Sequence, residues 1–183
     1  IKKGEIKYGE KINYVVPTGN FGNILACYIA KKMGLFIDKI VCASNENSVL
    51  TDFFNNKVYD KNREFYLTNS PAMDILISSN LERLLYLITN NNEKLVNELM
   101  LDLKNKGSYQ LPAEYHDELN DFYAYSINPK DTVEYIKEVY NKYDYLIDPH
   151  TAVAYGAYTK YQNILRGKTV VVSTASPFKF LET

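Results

Sequence analysis

Tryptophan is missing from these 183 residues, and only two cysteines and two histidines occur. Cys27 and Cys42 stand inside apolar runs with no Cys-x-x-Cys and no metal-ligand spacing. A disulfide scaffold and a metal centre are therefore not expected, and buried free thiols in a reducing cytoplasm are. Charge of one sign is missing too: 21 basic against 22 acidic residues leave a net charge of −1, which offers nucleic acid no basic footprint. No apolar run reaches the length of a membrane span and no signal-peptide pattern is present, so no membrane partner is expected. Glycine is sparse, with eight residues in all, yet Gly19 and Gly22 fall in one short loop.

What is present suits a packed core. The chain is 46% hydrophobic, and its length fits one domain or a large piece of one. Ile1-Lys2-Lys3-Gly4-Glu5-Ile6-Lys7 reads as the end of an earlier helix followed by a loop. Residues 1–183 are accordingly expected to be a single fragment from the C-terminal part of a longer protein.

The stretch Val15-Val16-Pro17-Thr18-Gly19-Asn20-Phe21-Gly22-Asn23-Ile24-Leu25-Ala26 organises the reading. A buried strand from about Lys11 to Val16 stops at Pro17, and a helix runs from about Gly22 to Met33, burying Ile24, Ala26, Cys27, Ile29 and Ala30. Between them, Gly19 and Gly22 permit positive φ, Asn20 tolerates the left-handed region, and the free N–H groups of the helix start point outward. Such a loop can hold an anion without a basic side chain. A plain tight turn uses the same residues, and that alternative stays open. The pattern is neither Gly-x-Gly-x-x-Gly nor Gly-x-x-x-x-Gly-Lys-Ser/Thr, which points away from a dinucleotide or a P-loop and towards a small phosphate ester.

A second strand from about Lys39 to Ser44 completes a right-handed parallel crossover, whose ligand crevice lies at the carboxyl ends of the strands. Asn45 or Asn47 can cap a helix to about Phe54, and residues 55–62 read as a polar loop. Helices follow at about 80–89, 93–106 and, more briefly, 112–120, where His116 reads as an exposed histidine. A strand spans 121–126 and a helix 128–143. Asp148 caps a helix that Pro149 opens and that runs to about Leu165; its small residues, Gly156 among them, suit close backbone approach. Residues 168–173 form an unbroken β-branched run, the pattern of a central buried parallel strand. The fold class is α/β, three-layer, with a mainly parallel sheet and helices on both faces.

The loop and helix, Val-Pro-Thr-Gly-Asn-Phe-Gly-Asn-Ile-Leu-Ala with Ala30-Lys31-Lys32-Met33-Gly34-Leu35, resemble the phosphate loop of threonine synthase. Three further runs resemble the same family: Ser70-Pro71-Ala72-Met73-Asp74-Ile75 with Ser78-Ser79-Asn80, Asp148-Pro149-His150-Thr151-Ala152, and Thr174-Ala175-Ser176-Pro177-Phe178-Lys179-Phe180. The resemblance implies part of the large domain of a fold type II enzyme that uses pyridoxal 5'-phosphate (PLP). It implies that Gly19, Asn20, Phe21, Gly22 and Asn23 hold the cofactor phosphate and that the Thr174 hydroxyl faces the ring nitrogen. Asn45, Ser70, Asp74, His150 and Thr151 become candidates for the substrate side. Capping explains Asn45 equally well, loop-locking explains Ser70, Asp74 and Asn80, and His150 is read as lining the site rather than moving protons. The family's Schiff-base lysine lies upstream in a Phe-Lys-Asp motif that this chain lacks, so no catalytic residue is assigned here and the fragment alone is expected to be inactive.

By resemblance the intact enzyme converts O-phospho-L-homoserine and water to L-threonine and phosphate, its partner being a phosphorylated amino acid. Dimerisation through an exposed apolar face is expected of a piece cut from a larger sheet. The alternative is a non-catalytic phosphate-ester-binding module derived from the same fold. A phosphosugar or nucleotide domain is a third reading, with Glu46 its one supporting carboxylate.

Overall fold

The computed structural model describes residues 4–180. Its centre is a four-stranded parallel sheet in the order β5-β2-β1-β6, formed by β1 (Ile12–Pro17), β2 (Ile37–Ser44), β5 (Phe122–Ser126) and β6 (Lys168–Val171). Strand alternation sorts the core into two layers. Val16, Ile40 and Cys42 face one way, against α1 (Gly22–Lys32) and α2 (Val49–Asn56). Val15, Val41 and Ala43 face the other, against Val153, Ala154 and Ala157 of α6 (Pro149–Tyr161). Each fully buried aliphatic side chain here stabilises the fold by about 1.5–3 kcal/mol relative to leaving it exposed, and both faces of the sheet are covered as the sequence predicts.

Helices α3 (Leu81–Ile88) and α4 (Glu93–Lys106) extend the first layer, and α5 (Pro129–Tyr143) packs on α6. The region read as a polar loop contains β3 (Val58–Asp60), which pairs antiparallel with β4 (Ser108–Gln110) through the stacked rings of Tyr59 and Tyr109. Residues 113–119 form a 3-10 helix, and His116 is half-buried there, its Nε2 2.9 Å from the Leu111 carbonyl.

Several expectations are corrected. The buried stripe of α1 is Ile24, Leu25 and Tyr28, while Ala26 is exposed and Ile29 is 40% exposed. Helix α6 ends at Tyr161, and Leu165 packs back on the core from the following turn. Gly156 accommodates side chains rather than backbone, since a Cβ there would stand 2.5 Å from the Tyr135 ring and 2.8 Å from Ile127. Among the described residues strand β6 pairs only with β1 and is half-buried, which makes it an edge strand of the sheet they form instead of a central one. A β-branched run records apolar demand on a strand, not the number of neighbours it has. Cys27 is half-buried and Cys42 buried; both are free, and burial pushes their thiols up to about 11 and about 12, which makes them inert at neutral pH.

Candidate functional site

The chain leaves β1 towards β2 on one side, while β6 lies on the other, so a topological switch point falls between β1 and β6. Ligands of open parallel sheets bind outside the carboxyl ends of strands at such a point. A cleft of about 390 Å³ opens there, within the usual size range for small molecules. Gly19, Asn20, Phe21, Gly22 and Asn23 line it from the end of β1, with Thr174 and Lys179 beyond β6, and Ala72, His150 and Phe180 close the sides. Asn20 and Thr174 therefore flank one space. Among the described residues no acidic side chain lines it, and Lys179 is the one cationic side chain that does.

The loop's conformation differs from the sequence expectation. Neither Gly19, Asn20 nor Gly22 has positive φ; the left-handed residue is Phe21, at φ 63° and ψ 13°. A bulky residue there stores strain on the order of 1–3 kcal/mol, which the surrounding structure must impose. Phe21 is 1% exposed, with its ring 5.8 Å from that of Phe54 and 6.4 Å from that of Phe122. Burial of the ring anchors the loop, so Phe21 offers the cleft its backbone, not its side chain.

Gly19 is required by proximity, because a Cβ would stand 3.0 Å from the Ala72 carbonyl oxygen and 3.1 Å from Met73 Cα. Gly22 is different. A Cβ there would meet only Asn80 Nδ2, at 3.9 Å, so protein packing gives no reason for glycine and the space belongs to the cleft.

The loop carbonyls are held from behind. Ser78 Oγ donates to Gly19 O (2.8 Å), and Asn80 donates to Asn20 O from both Nδ2 (2.7 Å) and its backbone (3.2 Å). A planar trans peptide carries its N–H opposite its C=O, so these bonds turn the Asn20 and Phe21 amides the other way. The backbone N–H groups of Gly19 through Ile24 find no acceptor among the described residues. Such a run is rare unless water or a ligand takes it, and at a helix start it forms a ready anion cradle. Ser78 was not singled out in the sequence; the Ser-Ser-Asn run beside Pro71-Ala72-Met73 was the available signal.

The other candidates divide. Asn45, Ser70 and Asp74 are brought together, but as a lock between two loops. Asn45 Nδ2 shares its two N–H groups among Asp74 Oδ1 (2.7 Å), Thr68 Oγ1 (2.9 Å) and Ser70 Oγ (3.1 Å). Asn47 Nδ2 and the Thr68 hydroxyl and amide complete the Asp74 shell. Neither asparagine caps α2, whose N-cap is Ser48, and the Ser48 hydroxyl goes to Asp52 and Arg63 rather than to a helix amide. Asn45 is 2% and Ser70 0% exposed, so the network supports the turn at Pro71–Met73 from inside.

His150 lies in the wall of the cleft with both ring nitrogens engaged. Its Nε2 accepts the Ala72 N–H (3.2 Å), which leaves the proton on Nδ1 to be donated to Asp148 Oδ1 (2.9 Å). Its ring centroid sits 4.8 Å from that of Phe180. Thr151 is buried behind it and donates its hydroxyl to Asp148 Oδ2. Burial works against the Asp148 carboxylate, but hydrogen bonds from the His150 and Thr151 side chains and backbones outweigh it and hold its pKa below the ordinary value. Its contribution to stability is thus complete above the unfolded value of about 3.9 and is lost as pH falls through the lower folded value. Thermal midpoints should fall more steeply below about pH 4 in the wild type than in Asp148→Asn, which has no carboxylate to titrate. Parallel slopes would contradict this assignment.

A larger groove of about 650 Å³ runs between α1, α3 and α4, lined by Leu25, Ile29, Tyr86, Leu87, Val96 and Met100 among others. It has no cradle of free amides, and its chemistry does not match a phosphate ester. Among the described residues there is no helix long and apolar enough to cross a membrane and no cluster of metal-ligating side chains.

No protein-family model matches the chain. Threonine synthase of Saccharomyces cerevisiae is 39% identical over 193 residues, covering 96% of this chain and 38% of that protein. The Homo sapiens protein called threonine synthase-like 1 is 43% identical over 156 residues, covering 84% of this chain and 21% of that one. A crystal structure of PLP-bound threonine synthase from Brucella melitensis superposes with a TM-score of 0.89 at 35% identity, over 94% of this chain and 37% of that chain. The chain thus spans between a fifth and two fifths of the length of the relatives it matches. With sequence and fold agreeing along nearly all of its residues, the chain belongs to the threonine synthase family.

Proposed function

We propose that residues 1–183 are the C-terminal, cofactor-binding portion of the large domain of a PLP-dependent threonine synthase. The intact protein would convert O-phospho-L-homoserine and water to L-threonine and phosphate. One observation carries the reading: the amides of Gly19 through Ile24, beside the open space at Gly22, find no acceptor among the described residues. A phosphate ester supplies the acceptors that this loop lacks.

The residues present fit the cofactor. Gly19, Asn20, Phe21, Gly22 and Asn23 would hold its phosphate by backbone amides, and Thr174, across the same cleft, would meet the ring nitrogen. PLP, when bound, supplies an electron sink for carbanions formed on an amino acid. A neutral hydroxyl at the ring nitrogen does not stabilise a pyridinium as a carboxylate does, which suits elimination and replacement rather than transamination. Lys179 adds one positive charge to a cleft that no carboxylate of the described residues lines, which favours an anionic substrate. His150, with both nitrogens engaged, shapes the wall and moves no proton. The amine nucleophile comes from outside this chain, so the chain alone turns over no substrate. The apolar run of an edge strand fits a sheet that continues in the longer protein, and the open side of β6 is a surface through which the isolated chain would dimerise.

The test is phosphate release from O-phospho-L-homoserine by the full-length protein, with threonine identified by mass, followed by borohydride reduction and mapping of the modified lysine. Threonine formation with modification outside these 183 residues is the expected result. A non-catalytic module would release nothing, and modification within residues 1–183 would overturn the placement of the nucleophile.

A further inference from the structure

Asp148 is 1% exposed, does not line the cleft, and yet is tied to both of its walls. One arm runs through His150. The imidazole donates from Nδ1 to Asp148 Oδ1 and accepts the Ala72 N–H at Nε2. Ala72 and Met73 in turn lie against Gly19, within 3.1 Å of where a Cβ would be. The second arm runs through Thr151, whose hydroxyl is bound to Asp148 Oδ2 and lies 3.4 Å from Ser173 Oγ. Because the single Thr151 proton goes to the carboxylate, Ser173 is the donor in that pair. Ser173 immediately precedes Thr174, so the second arm ends one residue before the one that lines the cleft opposite the anion loop.

We infer that Asp148 is a positioning residue that sets the distance between the anion cradle at Gly19–Asn23 and the Thr174 hydroxyl. The inference rests on the proposed cofactor site, and the chemistry of the arms makes it specific. A carboxylate has two acceptor oxygens and no proton, so it takes both donors at once while also accepting the His150 and Thr151 amides at the start of α6. The His150 ring and the two capping amides all bond Oδ1, and only the Thr151 hydroxyl bonds Oδ2. An asparagine that keeps its oxygen on the cap therefore keeps the His150 arm and merely reverses the Thr151–Ser173 pair, with the Thr151 proton turned to Ser173. Removing both oxygens frees both arms.

The ligands that test this differ in reach. Inorganic phosphate needs only the cradle, whereas 4-deoxypyridoxine 5'-phosphate, which lacks the reactive aldehyde, needs the cradle and Thr174 at the correct separation. In the 183-residue chain, Thr151→Val cuts only the arm to Ser173. It should leave phosphate affinity within about twofold and weaken the pyridoxine analogue about tenfold, close to the 1.4 kcal/mol that a tenfold change represents. Asp148→Ala removes both acceptors and should weaken the analogue at least as much, and should speed hydrogen exchange at the Ala72 amide, which His150 Nε2 holds. A wild type that binds both ligands, with variants that keep their affinity ratio, would overturn the positioning role and leave the cofactor site standing. A wild type that binds neither ligand removes the site. Exchange at Ala72 then decides on that wall alone: an unchanged rate in Asp148→Ala overturns the role, and a faster rate upholds it.

Discussion

Gly22→Ala is expected to weaken binding of 4-deoxypyridoxine 5'-phosphate by about 100-fold or more, roughly 2.7 kcal/mol, without lowering the thermal midpoint. The added methyl meets no protein atom closer than Asn80 Nδ2 at 3.9 Å, and the backbone there is not left-handed. Removing a glycine from the first position of α1 also reduces the freedom of the unfolded chain, a gain of about 0.4–1 kcal/mol. The ligand's phosphate must occupy the space that the methyl fills. Gly19→Ala makes the contrast, since its methyl would press on the Ala72 carbonyl and Met73 Cα and force backbone to move. That variant should lose both affinity and stability. Thermal melts beside ligand titrations separate the two, and a Gly22→Ala protein that binds normally would place the phosphate elsewhere.

Asp74→Ala should lower stability by about 3–5 kcal/mol, because buried donors that lose their acceptor each cost about 1–3 kcal/mol. Its carboxylate accepts from Asn45 Nδ2 at 2.7 Å, Asn47 Nδ2 at 3.1 Å, and the Thr68 hydroxyl and amide at 2.7 and 2.8 Å. Asn45 and Asn47 are only 2% and 4% exposed, so water cannot readily replace the lost oxygen atoms. The same network holds the Pro71–Met73 turn that backs Gly19, and ligand affinity should fall with stability. Urea unfolding gives the size of the effect. A loss below about 1 kcal/mol would mean that the stranded donors find water.

Much of this was legible because local signals and tertiary demand coincide. The run Asp148-Pro149-His150 marks a helix start by capping chemistry alone, and the Asp148 side chain does accept from the His150 and Thr151 amides. The two sheet faces follow from alternation in Val15-Val16 and Val41-Cys42-Ala43. The left-handed residue was not legible, since glycine is the cheapest place for positive φ, and only burial of the Phe21 ring among Phe54 and Phe122 moves it. Asn45 and Asn47 sit where caps belong, but their partners lie 19 to 29 residues away and local rules do not see them. Lys179 stands in the Thr174–Phe180 run with no role that the run itself assigns, and only the fold shows its place in the cleft lining. The loop's function was readable from its glycines, although the reason each glycine is there differs from the one the sequence suggested.

The anion cradle is tested most directly by following the backbone amides of 15N-labelled chain by NMR while inorganic phosphate and then 4-deoxypyridoxine 5'-phosphate are added. The account predicts that the amides of Gly19 through Ile24 shift with both ligands and that the Thr174 amide shifts with the second alone. Shifts confined to the groove between α1, α3 and α4, or no shifts at Gly19–Ile24, would contradict it.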